Sequence, residues 1–375
     1  MFKKLSLAAL LAVSAAAFTL IGIAAKDAAA ADFKGKRISI IVPFNEGGGT
    51  DSYSRFMLPY FTKYLPGNPK ILIVNKPGAG GILGGNYFEQ RAKKDGTWVF
   101  ALSTSTISNY TLGDPRVKFK LSEYIPIILS PRSAMVYVHK DLGLQNEKTL
   151  KAKIAKLRSF TPEQLVFGGK TPTSAGLQYR VALSMLGVNT KNVWGMKGNG
   201  PMALAFERGE FKINFDNSLS FKNNRKKLYE DGVAIPLYTL GIVNNAGKVV
   251  RDPTWPDTPT FVEAYNAFHG KDPSGPAMEA WLSLYQMSVT MSKSWNLLPG
   301  TPKDVVEAYR TAARKMLKDP DFIKKRDKIF GKYPQTIGDA AMTVRNAATT
   351  LSPTARKWLA KFVKARYGIV LGKTG

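Results

Sequence analysis

The chain has 375 residues, 54 Lys and Arg against 27 Asp and Glu, and no cysteine. Such a length calls for about two domains whose cores need no covalent staples. The missing cysteine excludes disulfides, thiolate metal sites and cysteine nucleophiles, and two histidines, His139 and His269, poorly supply a zinc site or a Ser-His pair.

The first element is an export signal over residues 1–31. Lys3 and Lys4 precede an apolar run from Leu5 to Ala25, and the small residues Ala28 to Ala31 follow. The run is nearly long enough for a membrane anchor. The alanine tail and the polar sequence beyond it favour cleavage after Ala31, hence a periplasmic protein. The absent cysteine excludes a lipid-anchored form.

Strands and helices then alternate, as in an α/β sheet. Arg37 to Val42 is a β-branched run suited to a buried parallel strand. A helix is expected from Thr50 or Asp51, with Tyr53, Phe56, Met57, Tyr60, Phe61 and Tyr64 on one face and Pro59 as a kink. Ile71 to Val74 and Trp98 to Leu102 are further strands, with a short helix from Gly84 to Arg91 between them. A second set begins at Val136 to His139. It continues with helix Thr149 to Leu157, strand Leu165 to Phe167, helix Ser174 to Leu186 and strand Asn192 to Met196. A helix opened by Pro201 comes next, then strands near Lys212 to Phe215 and Ala234 to Tyr238. The Pro- and Asp-rich stretch Arg251 to Pro259 reads as a crossing back, and the remainder as helical.

The net charge of +27 attracts anions, and a polyanion binder would look similar in bulk. The basic residues are scattered, however: Lys148 to Lys156, Arg225 to Lys227, Lys324 to Lys328, Arg356 to Lys364. Most alternate with apolar positions at helix-face spacing, as on a solvated surface. The expected partner is therefore not nucleic acid.

Candidate chemistry lies in loops that follow strands, where open α/β sheets bind ligands. The first is Asn45 to Asp51, containing Gly47, Gly48, Gly49 and Thr50. Its glycines allow close backbone approach, and the following helix aims free N–H groups at the same space. A tight turn with Thr50 or Asp51 as N-cap is the structural alternative. The others are Asn75 to Gly81, the hydroxyls Ser103, Thr104, Ser105 and Thr106, Gly168 to Ser174, Lys197 to Gly200, and Asp216 to Ser218. Each is also readable as a turn or cap. Gly169-Lys170-Thr171 is not a P-loop, because Gln164 stands where the motif needs glycine. Gly78 to Gly84 lacks the dinucleotide spacing, and no nucleophile elbow or H-E-x-x-H occurs. Nothing positive supports an enzyme.

Five ordered motifs carry a resemblance: Ile40 to Phe44 running into Gly47 to Asp51; Val74 to Gly81; Asp95-Gly96-Thr97; Pro256 to Phe261; and Pro299 to Pro302. In this order the sequence resembles the substrate-binding proteins of tripartite tricarboxylate transporters, the Bug family. The resemblance implies a two-lobed type II periplasmic-binding-protein fold, a Venus flytrap with a central cleft. Lobe I is then 32–134 plus 256–375, and lobe II 135–255. It implies a monomeric solute-binding protein, not an enzyme, with no cofactor and no metal. Such a protein captures a small organic acid for the membrane permease subunits of the transporter, or serves as a carboxylate sensor. On that pattern Phe44, Gly47, Gly48, Gly49, Thr50, Asp51 and the turn Gly78, Ala79, Gly80, Gly81 hold a carboxylate, and Ser103 to Thr106 line the cleft. Gly169, Lys170, Thr173, Ser174 and Asp216 reach the ligand's variable end. The sequence departs from the family at Lys170, where serine is common, and at Gln178, where histidine is common. Lys170 either faces the cleft or lies at the loop rim. The stretch Arg251 to Ser274 is longer than usual.

Overall fold

The computed structural model describes residues 31–244 and 247–372. Apart from Ala31, the export-signal reading lies outside them. Among the described residues no helix is long and apolar enough to cross a membrane.

Two five-stranded sheets organise the chain. The first contains β1 (Arg37–Val42), β2 (Lys70–Asn75), β3 (Trp98–Ser103) and β4 (Ile125–Ser130). The second contains β5 (Ala134–His139), β6 (Val166–Gly168), β7 (Lys191–Val193), β8 (Ile213–Asn217) and β9 (Ala234–Thr239). A hairpin follows, β10 (Ile242–Val243) with β11 (Val249–Val250), and β12 (Lys293–Leu297) returns to the first sheet. The orders are β2-β1-β3-β12-β4 and β7-β6-β8-β5-β9. Each sheet thus receives one antiparallel strand, β12 or β5, from chain that has just left the other lobe. Pro126 and Pro236 sit at matching register shifts on the edge strands β4 and β9. An edge position with a bulge tolerates the missing N–H.

The apolar pattern explains the first lobe. Ile38, Ile40, Ile41 and Val42 are all fully buried, because β1 lies inside a sheet covered on both faces. Helix Gly49–Tyr64 runs through Pro59 and lays Tyr53, Met57 and Phe61 on the sheet. There Phe61 meets the ring of Trp295 at 4.7 Å. The helix is capped by Gly48, not by Thr50 or Asp51.

The chain crosses between lobes at residues 131–133 and returns at residues 286–292. Helix Phe261–His269 packs on Leu150–Ser159, and helix Gly275–Tyr285 on Gly176–Met185 and on the C-terminal helix Pro353–Tyr367, whose Tyr367 meets Trp194. All three group with the second sheet and not with the first lobe expected from sequence. The stretch Arg251 to Pro259, read from sequence as the crossing back, is therefore also second-lobe structure. Trp255 packs there against Phe221 at a tilt and against Tyr229 edge-on. The return itself carries a π-helical turn, Gln286–Thr290, a form common at functional sites. Arg132 N–H donates to Val289 O at 2.9 Å and ties the two crossings together.

Candidate ligand-binding site

A cavity of about 510 Å³ lies between the lobes, at the carboxyl ends of β1, β3 and β8. Of the residues singled out from sequence, Phe44, Gly47, Gly48, Gly49 and Thr50 line it from the first loop. Ser103, Thr104 and Ser105 line it from the third, and Lys170 and Asp216 from the second lobe. The others stand behind this wall.

Asp51 is buried, and both its oxygens are occupied. Oδ2 accepts from Gly47 N–H at 2.9 Å and Arg55 Nε at 2.8 Å, and Oδ1 from Asn75 Nδ2 at 3.0 Å. Burial pushes its carboxyl up, but the hydrogen bonds from Arg55, Asn75 and Gly47 outweigh that and hold it below the ordinary value. Asp51 thus shapes the glycine loop and does not reach the cavity. Asp51→Ala is expected to cost about 2–3 kcal/mol in urea unfolding and to weaken ligand binding through the loosened loop.

Gly78, Ala79, Gly80 and Gly81 form a buttress one layer back. Asn109 Nδ2 donates to the carbonyls of Ala79 and Gly80 at 3.3 and 3.2 Å. Gly81 has φ +95°, and a Cβ there would lie 2.3 Å from Thr106 Oγ1 and 3.1 Å from the Phe44 ring. Gly81 and Thr106 therefore set where Phe44 stands. Gly81→Ala should lower stability by about 1–3 kcal/mol, read as a lower melting temperature.

Thr173 joins the lobes. Its hydroxyl lies 2.9 Å from Asn109 Oδ1 and 3.0 Å from Asp114 Oδ2. Ser174 Oγ donates to Thr171 O at 2.7 Å. A Cβ on Gly169 would lie 2.6 Å from Trp194, so this glycine admits the indole and does not face the cavity. Gln178 is buried and accepts from Ser288 Oγ, which does line it.

Two buried lysines dominate the electrostatics. Lys170 faces the cavity, with Nζ 2.6 Å from Asn199 Oδ1 and 5.6 Å from the Phe215 ring centre. Burial lowers its pKa to about 8; Asp216 partly opposes that and Arg180 adds to it. Lys293, the first residue of β12, sits in register with Ser103 and Ser130. It is 8% exposed and lines the cavity. Its ammonium has no hydrogen-bond or ion-pair partner among the described residues. Burial pushes its pKa well down, and the positive charges of Arg132 and Lys170 push it further.

Among the described residues no carboxylate forms an ion pair with either lysine. Asp216 accepts from Asn199 Nδ2 at 3.1 Å, Tyr137 OH at 2.9 Å and Arg225 Nε at 3.1 Å. Its work is to hold Asn199, which in turn fixes Lys170. Glu46 also lines the cavity, but from an exposed position. Four helices also begin at the cavity without a side-chain N-cap, at Gly48, Ser103, Ala175 and Gly198. Their first-turn N–H groups add positive potential. The whole arrangement suits an anion with hydroxyl contacts from Ser103 to Ser105. Among the described residues no cluster of ligating side chains is placed to hold a metal.

Sequence reasoning missed Lys293, Arg225, Asn199 and Ser288. Asn199 lay within the loop Lys197 to Gly200, which was singled out. Lys293 had no loop or motif to mark it.

No family model and no curated protein matches the sequence. Solved structures do. The chain is 19% identical to the periplasmic binding protein BugD, covering 87% of this chain and 97% of that one, with a TM-score of 0.64. The fold is that of the Bug-type periplasmic binding proteins. MatC of Rhodopseudomonas palustris, solved with malate, is 18% identical over 86% of this chain and 97% of its own, with a TM-score of 0.62. Rpa4515 of R. palustris, solved with adipate, is 20% identical over 89% and 98%, with a TM-score of 0.63. On a Bug-type fold the cavity found here occupies the cleft between the two lobes, and the type II, two-lobed architecture expected from the ordered motifs is the one observed.

Proposed function

We propose that the protein is an exported solute-binding protein of the Bug type. It captures a small organic acid in the interlobe cavity and delivers it to a membrane permease, without covalent chemistry. The observation that carries this reading is the pair of buried lysines, Lys170 and Lys293, facing one cavity, neither of them ion-paired to a carboxylate among the described residues. A buried charge without a partner is costly, and a ligand carboxylate relieves that cost. The malate and adipate bound by structurally similar proteins are ligands of this chemistry. Phe44, Gly47 to Thr50 and Ser103 to Ser105 would orient the carboxylate, while Tyr179 and Phe215 would meet the ligand's body.

Thermal unfolding of the refolded, ligand-free chain against a panel of organic acids tests this. An acid at about a hundred times its dissociation constant stabilises by about 2.7 kcal/mol, a shift of several degrees that moderate salt leaves in place. A salt-sensitive shift with polyanions alone, or turnover of the bound acid, would sink the proposal.

A further inference from the structure

A second, smaller crevice opens between the lobes beside the main cavity. Its volume is about 60 Å³, and Arg132 forms its inner wall. Ser52 borders it from the first lobe, Ser220, Asn223 and Asn224 from the second, and Lys328 from the segment after helix Pro320–Lys325. None of its lining residues is acidic.

Arg132 belongs to the crossing at residues 131–133 and is 4% exposed. Its guanidinium stands over the rings of Tyr53 and Phe330, at 5.3 and 5.7 Å. Its Nε and Nη2 are buried and have no hydrogen-bond partner. Three of the five donors on its planar fork are thus left unmet. Rings cover its faces, but only an acceptor satisfies its edges. The crevice has several times the roughly 10–15 Å³ that one water centre needs. It is too small for an organic acid of several carbons.

We propose that this crevice holds a small monovalent inorganic anion of halide size, bridging Arg132, Lys328 of the first lobe and the Ser220–Asn224 face of the second. The anion favours the closed arrangement. The lobes already meet here, since Asn223 Nδ2 donates to Lys328 O at 2.6 Å. Gly49, Ser52, Ser220 and Asn224 border both the crevice and the main cavity. Two ligands that each prefer the closed state must then strengthen one another. This second effect rests on the binding-protein reading; the anion site does not.

Crystals soaked in sodium bromide, measured at the bromine absorption edge, test the site. An anomalous peak is expected within hydrogen-bond reach of the Arg132 guanidinium, and none at that place in Arg132→Gln crystals. Absence of the peak in the native protein overturns the proposal. In solution, bromide should raise the affinity for the stabilising acid several-fold in the native protein and not in Arg132→Gln. General ionic strength acts on both alike, so an equal response overturns the bridging role. Should Arg132→Gln not fold, the exposed change Lys328→Gln carries the test. It should raise the bromide concentration required several-fold, and an unchanged requirement overturns the bridge. A bromide peak in a protein that binds no organic acid leaves the anion site standing and removes the proposed function instead.

Discussion

Lys293→Met is expected to weaken carboxylate binding by about a hundredfold, near 2.7 kcal/mol, while the empty protein becomes more stable. The two effects have one cause. Lys293 is buried, without a partner among the described residues, and under the fields of Arg132 and Lys170. In the empty cavity it either keeps its charge at a cost or gives up its proton, and both penalties vanish with methionine. Replacing buried charge with apolar volume often gains about 1–4 kcal/mol. Losing a buried charged partner to a ligand typically costs about 2–5 kcal/mol of affinity. Calorimetric titration and thermal unfolding of the two proteins read these quantities separately. If stability and affinity fall together, Lys293 is a packing residue and the site assignment is wrong.

Carboxylate affinity should also fall as pH rises through about 8, the value to which burial lowers Lys170. The ligand prefers the ammonium, so binding near and above that pH takes up a proton. Above it, affinity drops about tenfold per pH unit. The empty protein behaves oppositely. In the unfolded chain Lys170 keeps its proton up to its ordinary value of 10.5. Between about 8 and 10.5 the unfolded state therefore holds more protons, and this residue makes the stability of the empty protein rise with pH. Lys170→Met should flatten both profiles. A native affinity that stays level from neutral pH to well above 8 would exclude Lys170 from the ligand contact.

The strands that sequence made visible are those buried on both faces. Ile38 to Val42 and Val136 to Val138 form apolar runs because helices cover both sides of their sheets. Strand β12 was invisible for a physical reason. Its Lys293, Ser294 and Asn296 are buried polar residues beside the crossing, so the segment has no apolar periodicity to detect. Helix Thr104–Thr111 was hidden likewise, as a run of hydroxyls and Asn109 whose polar groups bond inward to Ala79, Gly80 and Ala348. Loops after strands were legible, but their division of labour was not. The glycine loop at Gly47 to Gly49 faces the cavity, whereas Gly78 to Gly81 supports it from behind. That distinction depends on the Phe44 ring standing between them. The return crossing was placed too early because Arg251 to Pro259 has the composition of a linker. In the fold its Asp252 is fully buried and accepts from Tyr333 OH, fastening the second lobe to the segment that follows helix Pro320–Lys325.

The most direct test of the carboxylate site is a crystal structure of the refolded protein with the acid that stabilises it most. The account predicts a carboxylate between the lobes, within hydrogen-bond reach of Lys293 Nζ and near Lys170, Ser103 and the Gly48–Thr50 backbone. A carboxylate bound elsewhere, with Lys293 still unpartnered, would contradict it.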